Sequence, residues 1–187
     1  MLIMLRFQSK TGGDINLQEQ GKVACSSQEI YNPLLFGNRP LSANETFLFD
    51  TLCNDSKKTG YLRCGVTLHN PKTTALPKVF LPSLINLDKS WVFTVFPQVE
   101  SPLQNHEKDS STKNIQVRKI TECVTKWSRV ALHVTSGGEL YINLDNVQYG
   151  PLAHNIPVGS RNIYVIVYST QRIRIIDEWG KFQLICT

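Results

Sequence analysis

The chain lacks most of the marks of chemistry. No apolar run approaches the ~20 residues that a membrane-spanning helix needs. No Cys-x-x-Cys occurs, and none of His69, His106, His133 and His154 pairs with another at a metal-ligand spacing, so no four-ligand zinc set forms along the sequence. There is no Gly-x-Ser-x-Gly elbow, no Walker phosphate loop and no Gly-x-Gly-x-x-Gly fingerprint. A cysteine–histidine dyad stays open, because such partners meet only in space. Catalysis has no positive support, and we expect neither an enzyme nor a cofactor.

Charge is also modest. The net value of +5 comes from 20 basic and 15 acidic residues in 187, and the basic ones are scattered rather than gathered into an arm. Arg118, Lys119, Lys126 and Arg129 around Trp127 could form a basic–aromatic stacking patch. A solvated edge strand guarded by lysine and arginine has the same composition, and we expect no nucleic acid. The five cysteines, Cys25, Cys53, Cys64, Cys123 and Cys186, are odd in number and widely spread, which argues for reduced thiols and a reducing compartment. Met1 to Leu5 is apolar, but Arg6 interrupts it before a secretory core could form. The cytoplasm is the expected location.

What is present is strand after strand. The size suits one domain and the hydrophobic share of 41% is ordinary. Short alternating segments are separated by turn residues, the pattern of an antiparallel β-sandwich. Thr46 to Leu52 places Phe47 and Phe49 on one parity. Ser90 to Phe96 is apolar on both parities, so it should be buried on both faces. Arg129 to Thr135 should turn Val130, Leu132 and Val134 inward and Arg129, His133 and Thr135 outward. Gly137-Gly138 then turns into Leu140 to Leu144, and Asp145-Asn146 into Val147 to Tyr149, giving a three-strand meander. Asn162 to Tyr168 and Arg172 to Ile176 add two strands. Residues 97–114 are polar and aperiodic, and read as a flexible insertion.

Gly60 to Pro71 carries the most specific pattern. Leu62, Cys64, Val66 and Leu68 alternate with Arg63, Gly65, Thr67 and His69, and Asn70-Pro71 ends the strand as a turn. The string closely resembles the Gly-x-Leu-Arg-x-Gly-Val-Thr-x-x-Asn-Pro signature of Neuralized homology repeat (NHR) domains. Arg6-Phe7 with Gly13 to Leu17 resembles that family's opening, although Asp14 replaces the usual asparagine. Phe36 to Leu41 with Glu45 and Phe47, then Leu81-Pro82, Leu87 and Trp91, then Gly138 to Leu140 with Gly150-Pro151, continue the likeness. After Val167 only Tyr168 to Thr170 stands where the family has a longer run, which implies a shortened turn at that corner.

The resemblance implies a jelly-roll-type, SPRY-like β-sandwich over 1–177 that works as a protein-recognition module. In the family such modules capture substrates, including Notch-ligand tails and their inhibitors, for ubiquitin-ligase complexes. Candidate partner contacts are Arg39, His69, Asn70, Tyr149 and His154, all polar or aromatic and near strand ends. Arg39 and Asn70 equally suit a turn-stabilising hydrogen bond and an Asx-turn, while Trp91 suits the core. Residues 178–187 form a tail in which Phe182 and Cys186 resemble the start of a truncated SOCS box. The expectation is a fragment of a longer adaptor that meets elongin and cullin machinery. A second class of function stays open: a phosphoinositide- or polyanion-binding sandwich with weak acidic-lipid contact through Lys119, Lys126, Arg129, Arg172 and Arg174.

Overall fold

A computed structural model of the chain describes residues 5–8, 15–26, 34–52, 62–74, 89–95, 119–120, 129–169 and 172–176. Twelve strands are described: β1 Ile15–Gln18, β2 Val23–Ser26, β3 Leu34–Phe36, β4 Thr46–Leu52, β5 Leu62–Thr67, β6 Ser90–Val95, β7 Lys119–Ile120, β8 Arg129–Val134, β9 Leu140–Leu144, β10 Val147–Ala153, β11 Tyr164–Ser169 and β12 Arg172–Ile175. The one helical element among the described residues is a 3-10 turn at Glu19–Gly21.

The strands form two sheets. One has seven strands in the order β1-β2-β12-β4-β8-β9-β10, and the other has five in the order β3-β11-β5-β6-β7. The expected meander is the run β8-β9-β10. Neighbours are antiparallel except β6 and β7, which run parallel with Thr94 opposite Lys119. The expected strands stand within a residue or two of their places, except that the one expected over Val147 to Tyr149 continues to Ala153 past an irregularity in its pairing with β9. The short strands β1, β2 and β3 carry too few residues for alternation to announce them, and only their place between longer neighbours makes them strands.

Alternation does the packing. Phe47 and Phe49 are fully buried between the sheets with Val130, Leu132 and Ile142. Phe7 meets Phe47 edge-on with ring centroids 6.1 Å apart, and Phe49 lies 5.6 Å from Phe47. Each such ring contributes on the order of 1.5–3 kcal/mol from burial. Leu62, Cys64 and Val66 enter the same core from β5. Burial drives the Cys64 thiol far above its ordinary pKa, so it is held protonated and inert. Ser90–Val95 is apolar on both faces, as expected: Phe93 and Val95 enter the main core, while Val92 packs against a small outer cluster of Leu34, Phe36 and Ile166.

Register decides which loops share an end. Thr46 stands opposite His133, Thr67 opposite both Ser90 and Tyr164, and Ala153 opposite Leu140. The start of β4, the end of β5, the start of β6, the end of β10 and the start of β11 therefore crowd one end of the sandwich. Asp50 opposite Arg129, and the β9–β10 turn, mark the other. At the crowded end Gly138 has φ +77°, and a Cβ there would strike the Ile156 carbonyl oxygen, so only glycine fits the turn. The Ile156 N–H donates to the Gly138 carbonyl at 3.0 Å, tying the segment after β10 to that turn.

The insertion at 97–114, the tail at 178–187 with Phe182 and Cys186, and Lys126, Trp127 and His106 lie outside the described residues.

Candidate functional site

Two depressions open side by side at the crowded end. The first, of about 610 Å³, lies between Leu41–Ala43, the β5 end at Leu68–Asn70 and the loop Val158–Asn162. The second, of about 700 Å³, lies between the first half of β6 and the segment Ala153–Pro157. They share Leu68, Lys89 and Arg161, and so form one continuous groove. Leu68, Val158 and Trp91 supply an apolar floor, each half-buried against the main core. His69, Asn70 and His154 stand along the walls.

The strand ends explain how these side chains are held. The Thr67 hydroxyl bonds Ser90 Oγ at 2.7 Å and accepts the His69 N–H at 3.1 Å, while the Leu68 N–H donates to the Lys89 carbonyl at 3.0 Å. Lys89 adopts φ +70°, a conformation unusual for a residue with a side chain, and this pairing fixes it there. Asn70 accepts the Lys72 N–H at its Oδ1 (2.9 Å), so the Asx-turn reading holds and its carbonyl-type oxygen is engaged within the turn. His154 Nδ1 lies 3.5 Å from Glu139 Oε1 at the rim, and the Tyr141 hydroxyl donates to Glu139 Oε2 at 3.1 Å.

Of the five expected contact residues, the structure brings together His69, Asn70 and His154. Arg39 braces the loop beside them. It reaches Glu45 with both guanidinium nitrogens, at 2.8 and 2.6 Å, and donates to the Pro40 carbonyl at 2.9 Å. The Ser42 N–H also donates to Glu45, at 2.8 Å. Burial alone would raise the Glu45 carboxyl, but these bonds together hold it below the ordinary carboxylate range. Arg39 thus fixes the turn that carries Leu41 to Ala43. Tyr149 does not join the groove. It is opposite Ile142, near the far hairpin, half-buried against the core. Sequence reasoning passed over Lys89 and Arg161. The turn-rich run Asn155 to Asn162 and a lone lysine before a strand were the available signals, and neither says where the residues meet.

The basic residues of the second reading divide between the sheets. Lys119 belongs to the five-stranded sheet, whereas Arg129, Arg172 and Arg174 belong to the seven-stranded one. There Arg129 pairs with Asp50 at 2.8 Å, Arg174 with Glu19 at 3.2 Å, and Arg172 with Gln18 at 3.2 Å. Among the described residues no group of three or more His, Cys, Asp or Glu is placed to hold a metal ion.

The Neuralized family model matches residues 7–177. The chain belongs to the Neuralized family. A crystal structure of the Drosophila melanogaster neuralized-NHR1 domain superposes with a TM-score of 0.69 over 94% of this chain and 99% of that one, at 20% identity. A solution structure of the NHR domain in Neuralized from the same organism gives 0.65 over 93% and 92%, at 19% identity. These likenesses establish the NHR fold. Neuralized-like protein 2 of Mus musculus, and that of Homo sapiens, are each 30% identical over 91 residues, 48% of this chain and 32% of theirs. The aligned part of the chain thus spans about a third of the length of the curated relatives it matches. The function class that accompanies an NHR domain is a protein-interaction module.

Proposed function

We propose that this NHR domain is a non-catalytic recognition module that captures a substrate protein, through a short peptide segment or a loop, for a ubiquitin-ligase complex. The observation that carries the reading is the groove at the crowded end of the sandwich. It joins an apolar floor to a polar rim, a composition that suits a short peptide segment. A rigid double sheet holding loops at one end is the arrangement by which scaffolds display contact residues. Free thiols at Cys25 and Cys64 suit a reducing, cytoplasmic setting. Elongin and cullin partners would belong to a longer form of the protein. The polyanion reading is weaker, since two of its arginines on the seven-stranded sheet, Arg129 and Arg174, already pair with Asp50 and Glu19.

The test is proximity labelling in cells with the wild-type chain and with a His154→Ala/Arg161→Glu variant, both exposed positions. Clients and ligase components labelled by the wild type should be lost with the variant. An unchanged set of labelled proteins would remove the groove from the proposal.

A further inference from the structure

The charge of the groove specifies its occupant further. Lys89 and Arg161 are both exposed, and both line the two halves of the groove, so they flank its middle. No carboxylate among the described residues lines either half. The two acids close by are occupied: Glu45 is clamped by Arg39 and the Ser42 N–H, and Glu139 holds the Tyr141 hydroxyl beside His154. Among the described residues, Arg39 thus neutralises Glu45, Glu139 stands at the rim beside His154, and Lys89 and Arg161 face the cleft. Lys89 is held there despite φ +70°, a conformation that favours glycine.

We infer that the groove takes an acidic extended peptide, with Asp or Glu side chains flanking an apolar residue: the acids face Lys89 and Arg161, and the apolar side chain rests on Leu68, Val158 and Trp91. This rests on the proposed recognition role and names the chemistry of the partner. Two cations over an apolar floor suit a few carboxylates. They are too few for a nucleic-acid backbone, which is held by a row of phosphate contacts. A peptide carrying lysine or arginine at those positions would face like-signed charges and be repelled, so the sign of the rim also excludes partners.

The experiment selects peptides from a random display library on the immobilised chain, then measures binding of synthetic, fluorescein-labelled winners. Asp and Glu should be enriched around an apolar position. Replacing those acids by Asn and Gln should weaken binding about tenfold, as should raising salt from about 0.1 M to about 1 M, where screening is nearly complete. A Lys89→Glu/Arg161→Glu variant, with an unchanged circular dichroism spectrum, should lose the acidic peptide and gain its lysine-bearing counterpart. Winners without acids that are still displaced by His154→Ala overturn the charge inference and leave the recognition role standing. Winners indifferent to every groove substitution, or no winners, overturn both. Heparin binding the groove more tightly than any peptide overturns the peptide assignment.

Discussion

The two ends of the sandwich are built from the same strands and handle charge in opposite ways. At the far end Arg129 donates to Asp50 through Nε at 2.8 Å, and its backbone N–H donates to Asp145 Oδ1 at 2.7 Å. Cation and carboxylates there satisfy one another around a tight turn. At the crowded end the ion pair Arg39–Glu45 lies aside, bracing a loop, while Lys89 and Arg161 face an open cleft. An end whose charges close on themselves serves the fold. An end whose charges stand open over apolar surface is prepared for a partner.

The largest expected effect comes from removing the wall of the groove. A Cβ at Gly65 would fall on the Trp91 carbonyl oxygen, and β5 could not keep its register with β6. Gly65→Ala should cost about 3 kcal/mol in denaturant unfolding, with loss of partner binding. Next comes the clamp beside the groove. Arg39→Ala should cost about 1 kcal/mol, because the pair is only partly shielded from solvent. Its pH dependence has a definite sign. The Glu45 carboxyl is depressed in the folded state, so its contribution is complete above the ordinary value of 4.5 and is lost as the pH falls through the folded one. Glu45→Gln should flatten the melting profile below about pH 4.5.

At the far end, Arg129→Ala should cost on the order of 0.5 kcal/mol, since Arg129 is more open to solvent than Arg39, and leave partner affinity unchanged. A comparable loss of affinity there would break the contrast between the ends. The smallest effect concerns His133, which bonds Thr46 Oγ1 at 3.1 Å across the start of β4. Burial lowers its pKa below the ordinary 6.5, so the folded state resists protonation and stability falls as the pH drops below that value. His133→Gln should remove that slope between pH 6.5 and 5, a change of about 1 °C in Tm by calorimetry.

How much was legible beforehand follows residue by residue. Phe47, Phe49, Val130, Leu132 and Val134 announced their facing by parity, because a strand's period of two is written directly in the chain. Asp145 and Asn146, with φ +47° and +78°, announced their turn because few side chains accept that conformation. His69, Asn70 and His154 were marked as strand-end polar residues, and they line the two adjoining halves of one groove. Tyr149 satisfied the same rule and lies nearer the other end. Arg39 was marked as a contact and braces a loop. A position near a strand end does not say which end, and a charged side chain does not say whether its partner lies within the chain or outside it.

The order of residues determined the local conformations: alternation, turns and the inward set of apolar side chains are short-range consequences of pleat geometry and backbone sterics. It also carried the motif that marks a Neuralized relative. Tertiary structure alone decided that Leu68, Lys89 and Arg161 share one cleft while Arg129 closes on Asp50. Those juxtapositions depend on strand order and register between segments tens of residues apart, and no local rule encodes them.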